Sequence, residues 1–242
     1  MSWLDPYLYD DVDVLINKLG IKDGKILDQL ERDIVTYKIA VLRQAPFKIE
    51  SVFDICKIHE FLFGAIFEWA GKFRKISMYK REPILKGSSV DYTPHDYIVL
   101  EIGQLDLKFK SIDWNSLDNQ AKIDKVVEVV QELWQIHCFR EGNTRSTAMF
   151  LYLLLKTLKM HINVEFLGKN AIFFRNSLVL ASIYSRSKPE FLRGIIVDAT
   201  TVKNVDENKY QTIDGFDLSK YEYQNHTIEK LKTIKDLDDL EN

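Results

Sequence analysis

His137, Glu141, Asn143 and Arg145 fall close together in the stretch QIHCFREGNTRST, residues 135 to 147. An imidazole titrates near neutral pH and can take a proton from a hydroxyl. A carboxylate beside an anion suits a Mg²⁺ ion that bridges phosphates. Arg145 supplies a permanent charge for phosphate oxygens. Gly142 lets the backbone come close to a ligand. A base, a metal ligand and a phosphate cradle point to transfer of a nucleotide or phosphoryl group onto a hydroxyl.

That chemistry demands two particular elements. Residues 120–136 carry Ile123, Val126, Val127, Val130, Leu133 and Trp134 at helical spacing. They predict a buried helix whose C-terminal end delivers His137. Residues 143–160 predict the next apolar helix, with Asn143 as its N-cap. The tight turn between them leaves backbone N–H groups unpaired and aimed into one small space. The positive end of the second helix dipole lies behind them, so the space is a ready anion site.

The remaining elements are predicted by the same periodicity. Residues 24–43, 51–68, 94–110, 168–182 and 188–199 read as further helices. Thr93 and Pro94 form the start signal of the third of these. Between the second and third, WAGKFRKISMYK and the polar KREPILKGSS predict a short β-hairpin over about 74–93. The fold class expected is mainly α with that one hairpin. No internal repeat or low-complexity segment is visible. Residues 201–242 hold six lysines against ten acidic residues and read as an acidic tail. Its end, IEKLKTIKDLDDL, reads equally as a solvated tail or as a docked helix.

Bulk composition excludes several classes. Net charge is -3 with pI near 6.0, not the basic balance of a nucleic-acid binder. Two cysteines, Cys56 and Cys138, do not make a disulfide framework and fit a reducing compartment. The N-terminus lacks a secretory pattern, and AMFLYLLLKTL is too short to span a bilayer. The expectation is a cytoplasmic protein with no membrane partner, unless a system that needs no N-terminal signal exports it.

HCFREGNTR resembles the Fic motif, HPFx(D/E)GNGRxxR, of the Fic/Fido family. IHEFLFGAIFEWAGKFRKI (58–76) looks like the Fic helix and strand before the flap hairpin, and INKLGIKDGKILDQLERDI (16–34) like the N-terminal helix region of toxin-type bacterial members. The similarity covers roughly residues 10–200. It implies that a Fic domain over 1–200 precedes the tail. It implies that His137 is the general base for a Ser, Thr or Tyr hydroxyl of a target protein, and that Glu141 holds Mg²⁺. Gly142, Asn143 and the Thr144 backbone would form the anion hole, Arg145 would bind phosphate and Phe139 would anchor the loop. Ile76, Ser77, Met78, Tyr79 and Lys80 would belong to the flap that clamps the target by strand addition. The usual family reaction moves AMP from ATP to that hydroxyl.

Three positions depart from the pattern: Cys138 replaces Pro, Thr144 replaces the second Gly, and Ala148 stands where the last Arg belongs. Thr144 would be strained at positive φ but is acceptable in the first turn of a helix. In members that transfer AMP, the last Arg grips the terminal phosphate. Losing such a contact costs roughly 1.5–3 kcal/mol. The Doc branch also departs at these two positions and transfers phosphate, which leaves a Doc-like phosphotransferase, or a transferase using another donor, as the second reading. A degenerate domain that binds nucleotide or a partner without transfer is the third. The inhibitory (S/T)xxxE(G/N) pattern is absent, and the Arg that normally meets its Glu is missing, so a separate antitoxin would lack its usual handle. Blander roles fall to His59, read as core packing, to His95, His161 and His226, read as surface, and to Lys80, Arg81 and Lys86, read as a solvated loop.

Overall fold

The computed structural model describes residues 5–184, 186–201 and 206–220. Among them the chain is built of helices α1 (Gly24–Gln44), α2 (Asp54–Phe63), α3 (Ile98–Ser111), α4 (Asn119–Ile136), α5 (Asn143–Thr157), α6 (Val164–Lys169), α7 (Ala171–Ala181) and α8 (Pro189–Thr200). Two short strands, β1 (Thr212–Ile213) and β2 (Phe216–Asp217), pair antiparallel. No helix among the described residues is long and apolar enough to cross a membrane.

α5 is the central post. Met149, Phe150, Leu151, Leu153, Leu154 and Leu155 are all buried, so it is apolar on nearly every face. Such a helix must be wrapped, and α2 and α4 pack against it directly. α1 covers α2, α3 covers α4, and α7 with α8 closes the far side of α4. Full burial of Ile58, Leu62, Phe63, Val130 and Phe150 gives a dry core under the α4–α5 turn. Each such aliphatic or aromatic side chain contributes about 1.5–3 kcal/mol.

The predicted helices are present, with shifts that have local causes. The segment expected to run over 168–182 breaks at Asn170, whose side chain donates to the Phe166 carbonyl and competes with the helix ladder. The helix expected to 68 stops at Gly64. The helix expected from 94 begins as a 3₁₀ turn at His95–Tyr97, directly after Pro94.

The expected hairpin over 74–93 is not a ladder. Residues 77–82 form neither helix nor strand and return through a turn at Pro83–Leu85, without strand pairing. The reason is Arg74. Its guanidinium donates to the Ile76 carbonyl at 2.6 Å and to the Thr93 carbonyl, one on each arm of the loop. A side chain thus takes carbonyls that cross-strand N–H groups would otherwise take. The two-stranded sheet lies instead at residues 212–217.

Residues 206–220, within the segment expected as tail, dock on the helices. Tyr210, Ile213 and Leu218 are buried, and the Tyr210 ring meets Phe166 and Phe173 edge-on. The helix expected within 228–240 lies outside the described residues. At the other end, residues 5–17 form a strap. Leu8 and Leu15 pair as an isolated bridge, and the Tyr7 hydroxyl accepts from the Lys75 N–H at 3.0 Å.

Candidate active site

The α4–α5 turn is pinned from all sides. His137 ends α4 in the left-handed conformation at φ 52°. Arg74 holds that conformation: its Nε donates to the His137 carbonyl at 2.7 Å, and its backbone N–H donates to the Cys138 carbonyl at 2.8 Å. Phe139 is buried and stacks on His59 at 3.8 Å between centroids.

His59 is placed by two bonds that fix its tautomer. Its Nδ1 accepts from the Gly71 N–H at 2.9 Å, so its Nε2–H donates to the Glu141 carbonyl at 3.0 Å. Burial pushes its pKa down to about 4. It is a neutral strut under the loop.

Asn143 does not cap α5. Gly142, at φ 80°, is the N-cap, and Asn143 is the first helical residue. Its amide instead clasps Phe139, accepting from the N–H at 2.9 Å and donating to the carbonyl at 2.7 Å. Gly142 is required twice over. A Cβ there would sit 2.5 Å from the Phe63 ring, and the positive φ would strain any other residue. Thr144 lies in helical backbone, so the possible strain does not arise. Its hydroxyl accepts from Trp134 Nε1 at 3.1 Å.

No side chain caps α5. The N–H groups of its first turn therefore have no intrahelical acceptor and carry the positive end of the dipole. They face a cavity of about 490 Å³ shared with His137, Glu141, Arg145 and Lys80.

His137 is buried at 3 % exposure, and its Nδ1 lies 3.2 Å from the Trp134 carbonyl. That contact is a hydrogen bond only if Nδ1 carries the proton, which leaves the lone pair on Nε2. Nε2 is buried and has no hydrogen-bond partner among the described residues. Desolvation, then the nearby charges of Lys80 and Arg74, hold the pKa well below 6.5. The ring is a neutral acceptor with nothing to accept from.

Glu141 is opposite in character. Burial works to raise its pKa, but Lys80, Arg145 and the Gly142 N–H prevail and bring it to about 2. The Gly142 N–H donates to its Oε1 at 2.8 Å, and Arg145 lies 3.5 Å away. No three His, Cys, Asp or Glu side chains cluster as a metal cage among the described residues. A Mg²⁺ ion needs no cage: one carboxylate, with phosphate oxygens and water, suffices. Glu141, ionised at any working pH, fits that donor set.

Arg145 reaches α1 as well. Its NH2 lies 2.5 Å from Glu31 Oε1. The loop's other cations are similarly engaged: Arg140 with Asp5 at 2.7 Å, and Arg175 with Glu82 at 2.7 and 2.8 Å. Glu82 is fully buried and also accepts from the Tyr92 hydroxyl, whose ring covers His137 at 4.1 Å.

The predicted residues His137, Glu141, Gly142, Asn143, Thr144 and Arg145 thus all line one cavity. Lys80 joins them. Ile76, Ser77, Met78 and Tyr79 precede it on the same arm of the loop, with Met78 buried and Tyr79 exposed. Ala148 does not line the cavity and packs half-buried on the core. Arg74, Glu31, Asp5, Glu82 and Arg175 were not singled out by the sequence, because each meets the site across a long stretch of chain. His95 touches Ser77 and Asp96, and Cys138 is buried in the core.

Residues 50–155 match the family model described as the Fic/DOC family. Protein adenylyltransferase VbhT of Bartonella schoenbuchensis is 26% identical over 234 residues, covering 89% of this chain and 47% of VbhT. The probable protein adenylyltransferase Fic of Salmonella typhimurium is 33% identical over 76 residues, 31% of this chain and 38% of that one. The chain spans less than half the length of these curated relatives. Among solved structures, BepC from Bartonella tribocorum with bound AMPPNP has a TM-score of 0.67 at 24% identity, covering 82% of this chain and 97% of that one. The N-terminal Fic domain of a Bartonella quintana protein with bound ADP has a TM-score of 0.65 at 23% identity, covering 81% and 94%. At those identities the two structures establish the fold.

Proposed function

The chain carries a Fic/DOC-family domain over residues 50–155, and on that premise we propose that it is a protein adenylyltransferase, moving AMP from ATP to a Ser, Thr or Tyr hydroxyl of a target protein. The observation that carries this reading is the orphaned Nε2 of buried His137, a residue that lines the same cavity as the uncapped start of α5.

Nε2 takes the proton of the target hydroxyl as its oxygen attacks the α-phosphorus. The bond from that phosphorus to the bridging oxygen breaks, and pyrophosphate leaves. Peptide N–H groups of α5 stabilise the phosphate charge that develops. Glu141 would hold Mg²⁺, which when bound neutralises polyphosphate charge. Exclusion of water by Tyr92 and Trp134 keeps the imidazole neutral before attack. Bound phosphate replaces a repulsive cationic surrounding with an anionic one, which raises the basicity of His137 when it is needed. The exposed edge of residues 76–79 offers backbone groups to an extended target segment.

The curated relatives named protein adenylyltransferase support this assignment. Ala148 favours a second reading, phosphoryl transfer, because the charge that orients the terminal phosphate in AMP-transferring members is missing. One experiment separates them. The chain is incubated in host lysate with Mg²⁺ and ATP labelled at the α or the γ phosphate, beside His137→Ala. Label from α, lost in the variant, is the expected result. Label from γ alone, again dependent on His137, would establish phosphoryl transfer. No label from either would overturn both.

A further inference from the structure

The cavity contains a cation that the domain's loop motif does not supply. Lys80 comes from the loop arm of residues 76–82, which is fastened at that point by the Lys80 N–H donating to Ser89 Oγ. Its side chain lines the cavity with His137, Glu141, Gly142 and Asn143. Among the charged groups acting on them, it is the strongest cationic influence on both Glu141 and His137.

The neighbouring cations are committed. Arg140 holds Asp5, Arg175 holds Glu82, and Arg145 holds Glu31. Among the described residues no carboxylate lies within ion-pair distance of the Lys80 ammonium, and burial lowers its pKa. Glu141 and Glu82 act on it from beyond ion-pair distance, so no close pair has to break before it meets a ligand. A polyphosphate entering the cavity would meet three arginines that must loosen an existing pair and one lysine that need not. Lys80 is half-buried in the cavity wall, where water screens its attraction for phosphate less than at an open surface.

We propose that Lys80 is a phosphate-gripping residue of this site, contributed by the loop rather than by the α4–α5 motif, and that it supplies charge which Ala148 does not. The inference rests on the nucleotide-transferase reading of the cavity. It separates Lys80 from Ile76–Tyr79: those residues serve the target, and Lys80 serves the nucleotide.

The test is nucleotide affinity of the full chain, with ATP, ADP and adenosine as probes, in wild type, Lys80→Met and Lys80→Arg. Circular dichroism and melting temperature check that each variant is folded. Lys80→Met is expected to weaken ATP about 10- to 100-fold, the range of a lost charge-assisted bond. Adenosine should change less than about twofold by the same reasoning, since it brings no phosphate to the ammonium. Lys80→Arg should retain most of the ATP affinity. In the Lys80→Met background, Ala148→Arg should recover part of the loss, because position 148 lies one helical turn beyond Thr144 and its side chain leans back toward the start of α5.

Equal ATP affinity in wild type and Lys80→Met overturns the inference. So does a variant in which only the KM for the target protein rises. Intact ATP binding without any transfer would sink the proposed activity and leave the Lys80 contact standing. Failure of wild type to bind ATP would overturn both.

Discussion

Glu31 and Arg145 meet at 2.5 Å across the α1–α5 interface, with Glu31 buried and Arg145 half-buried. Burial pushes the Glu31 carboxyl above its usual range despite the arginine beside it. The pair is a standing competitor: any phosphate that binds Arg145 must share it with Glu31. Glu31→Gln should raise ATP affinity about fivefold, equivalent to about 1 kcal/mol, as read by calorimetry. An unchanged or lower affinity would show that Glu31 orients Arg145 for phosphate instead. Arg145→Ala alone should destabilise the chain more than the double variant does, because it strands a buried carboxylate.

Acid should destabilise the protein through its two buried histidines. The pKa of His59, about 4 in the folded chain, lies below its unfolded value of 6.5. Its contribution is therefore complete above pH 6.5 and is lost as pH falls from 6.5 toward 4. The window is worth roughly 3 kcal/mol for His59 at about 1.4 kcal/mol per unit, and His137 is lowered in the same direction. The urea midpoint should stay level above pH 6.5 and fall below it. His59→Phe should flatten that slope while lowering the midpoint at neutral pH, since it loses the bonds to Gly71 and Glu141.

Gly142→Ala should damage both fold and site. The left-handed backbone costs an L-residue about 1–2 kcal/mol, and the contact with Phe63 adds about 1–3 kcal/mol of overpacking. Phe63→Leu in the same chain should recover only the second part, which thermal melts of the two variants would show. Full recovery would mean that the backbone at 142 is unstrained.

Arg74→Met should separate binding from turnover. The guanidinium serves the carbonyls of His137, Ile76 and Thr93 together. Its loss leaves buried acceptors unpaired at about 1–3 kcal/mol each and frees the base to wander. The expected result is a fall in kcat of at least about tenfold, with a smaller change in nucleotide affinity. Equal losses in both would place Arg74 in nucleotide binding.

How far the sequence reveals this site follows from chain separation. His137 to Arg145 lie in one local turn, where helix-end signals and residue chemistry speak directly, and the structure brings them to one cavity. The apolar spacing of residues 120–136 marks α4 nearly to its ends because helix burial repeats every 3.6 residues. Arg74 to His137, Glu82 to Arg175 and Asp5 to Arg140 are different. They pair across 63, 93 and 135 residues, and no local pattern announces a partner that distant. The hairpin expectation failed for the same reason. The Arg74 guanidinium takes the Ile76 and Thr93 carbonyls on the two arms of the loop where strand pairing was expected. Asn143 also shows the limit of composition: a good capping residue spends its amide on Phe139 because Gly142 already occupies the cap.

The strap of residues 5–17 has a practical side. Asp5 holds Arg140 of the motif loop, Tyr7 holds Lys75 at the foot of the loop arm, and Leu8, Val14 and Leu15 line the cavity. None of these contacts belongs to a helix. A shortened chain starting at Gly24 would keep every helix from α1 onward, and its far-ultraviolet spectrum would look sound. It would nonetheless have one wall of the His137 cavity open to solvent. Helical content is thus a poor quality check for preparations of this protein.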